Sequence, residues 1–169
     1  MMNVISTTSA RTARHHLIAI AAIAALSLVA AAAQAGECPA DKTVAAGKGQ
    51  PMSSEPAKGV TDKVLTATEL AKEPVAINGR LFRARRLDIA PGGVVPWHSH
   101  SDRPALILIS SGEIVEYAST CAVPIVHRAG EAATETHATA HWWKNTGSQT
   151  VVLLSADLFP VKAPDEHKM

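Results

Sequence analysis

The 169-residue sequence has little excess charge and few of the patterns that mark common enzyme classes. It carries 16 Lys and Arg residues against 15 Asp and Glu, a formal charge of +1, with no basic block. This balance argues against a nucleic-acid partner. No glycine-rich phosphate loop is visible, and no Ser/His/Asp or Cys/His arrangement has the context of a nucleophile. No apolar run after residue 33 is long enough to span a membrane.

The N-terminus has the pattern of a secretory signal. Arg11 and Arg14 precede the apolar run Leu17–Ala33, which ends at the small-residue triplet Ala33-Gln34-Ala35. We therefore predict a signal peptide over residues 1–35, with a periplasmic or secreted product that begins at Gly36. A retained membrane anchor is the alternative, because 17 apolar residues reach the lower limit for a bilayer span.

The sequence contains only two cysteines, Cys38 and Cys121. In an exported protein such a pair can oxidise and stay oxidised. The sequence leaves two alternatives open: a disulfide that ties the N-terminal segment to the domain, or two separate thiols.

The mature chain divides by composition into an arm, one domain and a tail. Residues 36–62 are rich in Ala, Gly, Lys, Pro and Ser and are predicted to be a flexible linker or arm. Residues 63–162 are predicted to form the domain, and residues 163–169 a tail. Capping-box spacing at Thr66-Ala67-Thr68-Glu69 predicts a short helix that continues to Lys72.

After Pro74 the sequence changes to short runs of Val, Ile and Leu separated by turn residues, which is typical of an all-β domain. Even spacing and tight turns favour an antiparallel sandwich or barrel. The predicted strands are Arg80–Ile89, Val94–Trp97, Ala105–Ser110, Glu113–Ala118, Pro124–His127, Ala140–Lys144 and Thr150–Phe159.

Three histidines are the candidate functional residues. His98 and His100 are two residues apart in an extended segment, so their side chains should lie on the same face. His141 opens the run His141-Trp142-Trp143-Lys144-Asn145, which also has the pattern of a strand. The spacing is that of metal ligands on strands, although paired surface imidazoles also occur without a metal.

At these residues the sequence resembles the cupin superfamily. The first cupin motif corresponds to Gly92, His98-Ser99-His100 and Gly112, and the second to Gly130, His141 and Asn145. The position of the family's glutamate ligand holds Ala105. Thr136 and Ala138 stand where the second motif usually has proline and glycine.

The resemblance implies a cupin double-stranded β-helix, or jelly-roll barrel, with His98, His100 and His141 as ligands of a divalent transition metal. Imidazole ligands favour Fe, Zn, Cu, Ni or Co over Mg or Ca. The resemblance also implies a small-molecule oxygenase or isomerase, or alternatively a non-catalytic binding or sensing module. Whether the chain is an enzyme stays open, because no carboxylate falls at the fourth-ligand position. Cupins also commonly pair as homodimers.

Other polar and aromatic side chains near these motifs carry weaker expectations. Arg83 and Arg85 share one strand face, which we expect to be solvated, and Glu113 and Glu116 have the pattern of surface carboxylates. His137 is expected to be a loop residue rather than a ligand. By alternation, one of Trp142 and Trp143 should lie on the face opposite His141, and the resemblance implies a structural role for Asn145.

Overall fold

The computed structural model describes residues 36–161. The predicted signal peptide, residues 1–35, and the predicted tail, residues 163–169, lie outside the described residues, as does Lys162 at the end of the predicted domain. Eight strands form one sheet: β1 Lys58–Glu69, β2 Arg80–Ser99, β3 Ala105–Ser111, β4 Glu113–Ala118, β5 Ile125–Arg128, β6 Ala132–Glu135, β7 Ala140–Lys144 and β8 Val151–Pro160. Within this part of the chain, no helix is long and apolar enough to cross a membrane.

The sheet is antiparallel and bends into a nearly closed barrel. Its strands run in the order β5-β4-β7-β2-β8-β3-β6, with β1 paired to β2 outside this path. The all-β prediction is therefore confirmed. Alternate residues of β3, β4, β7 and β8 are buried, because successive side chains of a strand point to opposite faces. The apolar core that results is centred on Ile89, Ile109, Ile114 and Val151.

The bounds of β4 and β7 agree with the prediction, and β3, β5 and β8 differ from it by one residue at one or both ends. Two expectations about β2 and its surroundings are wrong. The sequence analysis places a break at Pro91-Gly92-Gly93, between the predicted strands Arg80–Ile89 and Val94–Trp97. In the structure this segment is a bend inside one continuous strand, where Gly92 adopts a φ of 70°. The helix expected over Thr66–Lys72 is the end of β1 followed by a single 3-10 turn at Leu70–Lys72.

Strand β2 is the longest and connects most of the sheet. It pairs with β8 along Arg80–Ile89, with β1 along nearly the same residues on its other edge, and with β7 from Val94 to Ser99. Asn145 fixes the junction between β7 and the bend of β2. Its buried side-chain amide donates to the carbonyl oxygens of Ile89 and Gln149, so it has the structural role expected of it.

The segment predicted to be an arm contacts the barrel at several points. Cys38 and Cys121 form a disulfide, and Thr43 bridges to Cys121 in antiparallel fashion. Gly47 and Gly49 both donate backbone hydrogen bonds to the carbonyl of Ser119. A Cβ atom on Gly49 would lie 2.5 Å from the carbonyl oxygen of Cys121, so the chain can approach this closely only at a glycine.

Because the disulfide closes a sequence separation of 83 residues, its loss should destabilise the fold through the unfolded state. We expect the Cys38→Ser, Cys121→Ala double variant to lose about 2–4 kcal/mol of unfolding free energy in urea titrations. Fully reduced wild-type protein is the matched control and should show a similar loss. Equal urea midpoints for oxidised and reduced wild-type protein would contradict this expectation.

Candidate metal centre

Strands β2 and β7 bring the three predicted histidines together. His98 pairs directly with His141 in the register of the two strands, and His100 follows the end of β2. The Nε2 atoms of all three rings lie 3.1 Å from one another. His100 and His141 are buried, and His98 is half-buried at the cavity. The structure therefore brings together the three histidines that the sequence analysis singles out.

The other ring nitrogen of each histidine faces a group that can only accept a hydrogen bond. Nδ1 of His98 lies 2.9 Å from the carbonyl of Pro96, and Nδ1 of His100 lies 2.7 Å from the carbonyl of Arg103. Nδ1 of His141 lies 2.6 Å from Oε1 of Glu116. These contacts assign the proton to each Nδ1. At His141 the shorter contact to the carboxylate of Glu116 outweighs the indole Nε1–H of Trp143, which lies 3.1 Å from the same nitrogen. In the neutral rings the Nε2 lone pairs are then directed at a common point.

The surroundings of His98 and His100 favour the neutral form of these two rings. Burial, and then the charge that would develop on His141, lower the pKa of His98 to about 3 and that of His100 to about 4. Three neutral imidazoles with converging lone pairs repel one another unless a cation lies between them. This donor set fits a divalent metal ion, which binds neutral imidazole nitrogen.

The spacing of the nitrogens also fits such an ion. If each Nε2 lay about 2.1 Å from the metal, neighbouring ligands 3.1 Å apart would subtend an angle of about 95°. Three histidines spaced in this way would hold a metal ion from one side.

Behind His141 lies a buried carboxylate that the sequence analysis missed. Glu116 is 4% exposed, so the expectation of a surface carboxylate is wrong for Glu116, whereas its neighbour Glu113 is exposed. Oε2 of Glu116 accepts a hydrogen bond of 2.8 Å from Nε2 of His127, and Oε1 of Glu116 accepts one from Nδ1 of His141. Burial alone would raise the pKa of Glu116, but these two hydrogen bonds lower it to about 2, so the carboxylate is ionised.

A second buried carboxyl group, that of Glu135, is held in the opposite state. One of its oxygens lies 3.5 Å from Nδ1 of His141. Burial, and then the negative charge of Glu116, raise the pKa of Glu135 to about 9, so it is protonated at neutral pH. The pair therefore places a single negative charge behind the histidines.

The aromatic residues divide between the two faces of β7 as alternation predicts. Trp143 packs between His127 and His141, and its indole Nε1 lies 3.1 Å from Nδ1 of His141. Trp142 lies on the other face and stacks on Tyr117 with ring centroids 4.0 Å apart. Trp143 thus fixes the orientation of the His141 ring by packing.

The histidines open onto a cavity of about 200 Å³ that also contains arginine side chains. Arg85 and Arg103 line the cavity. Arg83, two residues before Arg85 on β2, forms a bidentate pair with the fully buried Asp157, at 2.9 and 2.8 Å. The expectation that Arg83 and Arg85 are solvated is wrong, since each side chain is only 12% exposed. Their burial is stabilised by Asp157, which lies far away in sequence.

Two other residues named in the sequence analysis have different surroundings. Ala105 is buried at the start of β3, so a small apolar side chain occupies the position of the family's glutamate. His137 is an exposed residue of the loop between β6 and β7 and is not part of the histidine cluster.

The family model of the cupin domain matches residues 85–157. This segment is a cupin domain. It contains all three histidines, Glu116 and the cavity arginines Arg85 and Arg103. No curated protein sequence matches the chain.

Solved structures similar to this cupin domain include proteins of different kinds. The cupin domain of Schizosaccharomyces pombe Cnp3 is 16% identical, with a TM-score of 0.48 over 64% of this chain and 66% of that one. The cupin domain of an XRE family transcriptional regulator from Enterobacter cloacae is also 16% identical, with a TM-score of 0.47, and the match covers 61% of this chain and 99% of that one. Oxalate oxidase in complex with glycolate is 23% identical, with a TM-score of 0.45 over 62% of this chain and 52% of the oxidase. The chain thus spans about half the length of the oxidase.

Glu116 should be the carboxylate on which the histidine cluster depends most. In Glu116→Gln the amide can accept from only one of the two histidines with good geometry, so we expect a loss of about 1–3 kcal/mol of unfolding free energy. Glu113→Gln on the same strand is the matched control and should leave the urea midpoint unchanged, because Glu113 is exposed. Equal midpoints for the two variants would show that the buried pairings contribute nothing net.

Proposed function

We propose that this cupin domain binds one divalent transition-metal ion through His98, His100 and His141. The observation that carries the proposal is the convergence of three Nε2 lone pairs 3.1 Å apart, with every Nδ1 held by an acceptor. Nitrogen ligands favour Fe, Zn, Cu, Ni or Co. When bound, such an ion supplies Lewis acidity, or redox chemistry if it changes oxidation state.

The residues around the cluster would prepare it for this role. Backbone carbonyls of Pro96 and Arg103 and the carboxylate of Glu116 keep each Nε2 free of a proton. Metal-bound histidines typically donate their other N–H to such partners, which fixes the ring and raises its basicity. The cavity would admit a small molecule to the open side of the ion. We propose an oxygenase or an isomerase acting on such a substrate.

A specific observation favours the second candidate, a non-catalytic binding or sensing module. Among the described residues lining the cavity, Asp62 is the only carboxylate, and it is already paired with Arg85 at 2.5 Å. A free general base is thus lacking among these lining residues, so an enzyme here would depend on the ion to activate its substrate. Turnover of a bound ligand separates the two candidates.

The metal proposal is tested by measuring the metal content of purified protein. We expect close to one transition-metal ion per chain in wild type. The metal content should fall sharply in His141→Ala, because the variant lacks one of the three ligands. His137→Ala is the matched control, since His137 is an exposed histidine outside the cluster, and it should retain the wild-type content. Equal retention in both variants, or no metal in reconstituted wild type, would refute the proposal.

We also propose that the protein is exported and functions in the periplasm or outside the cell. The predicted signal peptide, residues 1–35, lies outside the described residues, but the Cys38–Cys121 disulfide supports an oxidising compartment. The intact mass of native protein should correspond to a chain that begins at Gly36. A chain that retains Met1 and fractionates with membranes would show an anchor instead.

A further inference from the structure

Arg103 is attached to the histidine cluster through its own backbone. Its carbonyl oxygen accepts the hydrogen bond from Nδ1 of His100, and its backbone N–H donates to the carbonyl of His100. Its side chain is 23% exposed and lines the same cavity as the three histidines. The backbone of Arg103 is therefore fixed beside the histidine cluster, and its side chain extends along the wall of the same cavity.

The guanidinium of Arg103 has no hydrogen-bond acceptor among residues 36–161. Its nearest carboxylate is Asp157, whose Oδ2 lies 3.9 Å from Nε, beyond hydrogen-bonding distance. Both oxygens of Asp157 already accept from Arg83. A planar guanidinium matches a carboxylate with two parallel hydrogen bonds, and none of these donors is used here.

Arg85, next to Arg103 in the cavity, has a donor to spare as well. One terminal nitrogen binds Asp62, but its buried Nε has no hydrogen-bond partner in the described part of the chain. The Nε atom lies 3.5 Å from Asp157. Buried donors without an acceptor are uncommon, and an unpaired one indicates a missing partner.

The charges of this region leave a positive excess. Arg83, Arg85 and Arg103 contribute three positive charges, against the carboxylates of Asp62 and Asp157. Burial, and then the charge of Arg85, lower the pKa of Arg103, while Asp157 and Asp62 act in the opposite direction. A bound anion would balance the positive excess, and a metal ion on the histidines would add to the same attraction.

We infer that Arg103, with Arg85, forms a carboxylate subsite, and that the substrate is a small organic acid whose opposite end reaches the metal. For the contact between the acid and the metal, the inference rests on the proposed function. A cavity of about 200 Å³ lies below the usual range for drug-sized ligands, so the acid is small. Leu87, Ile107 and Leu153 supply apolar walls, which suit a carbon skeleton better than an inorganic phosphate.

Asp62 acts in this subsite as an internal competitor. It belongs to the exposed strand β1, its side chain is 42% exposed, and its carboxylate faces Arg85 in the cavity. An incoming carboxylate must share or displace this contact. Neutralising Asp62 should therefore strengthen binding of small acids, whereas removing the Arg103 guanidinium should weaken it.

Calorimetric titration of cobalt-loaded protein tests this with lactate, pyruvate and acetate, their neutral amides, and inorganic phosphate as probes. We expect at least one carboxylate to bind roughly tenfold or more tightly than its amide. Arg103→Met should weaken the binding of that carboxylate by roughly 10- to 100-fold. Arg103→Lys should weaken it by less, since lysine keeps the positive charge but lacks the planar group that donates two parallel hydrogen bonds. Asp62→Asn should tighten it, and Arg128→Met, at an exposed arginine paired with Glu113, should not change it.

The outcomes separate this inference from the metal proposal. Cobalt content should be equal in wild type and Arg103→Met, because Arg103 contributes only a backbone carbonyl to His100. If wild type retains cobalt but binds acids no better than amides, prefers phosphate, or is unaffected by Arg103→Met, the carboxylate subsite is refuted alone. If wild type retains no cobalt, the metal proposal fails, and the same titrations on metal-free protein decide the subsite.

Discussion

The pairing of β2 with β7 is the constraint on which the candidate site depends. His98 lies opposite His141 in this register, and a slip of one residue would turn every side chain of one strand to its other face. Asn145 secures the register, because its backbone N–H donates to Gly93 and its side chain to Ile89, on both sides of the bend in β2. The longest strand of the sheet is thereby fixed at the residues that carry the histidines.

The arrangement of charge follows from what the barrel can bury. Three neutral imidazoles offer no negative charge to an ion, and Ala105 removes the carboxylate ligand that the resemblance would place beside them. Glu116 supplies a negative charge from behind His141, one hydrogen bond away, while Glu135 stays neutral. A divalent ion would therefore keep most of its charge toward the cavity, where the arginines are. The positive charge of such an ion and that of the arginines both favour an anionic ligand.

The sequence predicted the parts of this molecule that depend on local pattern. Strands such as β4 and β7 are short runs of strand-forming residues, and their residues alternate between buried and less buried positions because one face packs in the core. Strand β1 was missed because it is an almost wholly exposed edge strand, so burial imposes no pattern on it. The burial of Arg85 and Glu116 depends on partners distant in sequence, Asp157 and the pair His127 and His141. Residue type alone predicts exposure for both, and only the fold shows otherwise.

A metal ion bound to the histidine cluster would link its own binding to folding. Backbone carbonyls of Pro96 and Arg103 accept hydrogen bonds from two of the rings. These rings are therefore ordered when the chain folds, and metal binding does not have to order them. The folded chain must then hold three unpaired lone pairs together and a buried anion at Glu116. Each of these is unfavourable by itself and becomes favourable beside a cation. Because the unfolded chain has no such arrangement, an ion that binds here stabilises the folded barrel by the free energy of its binding.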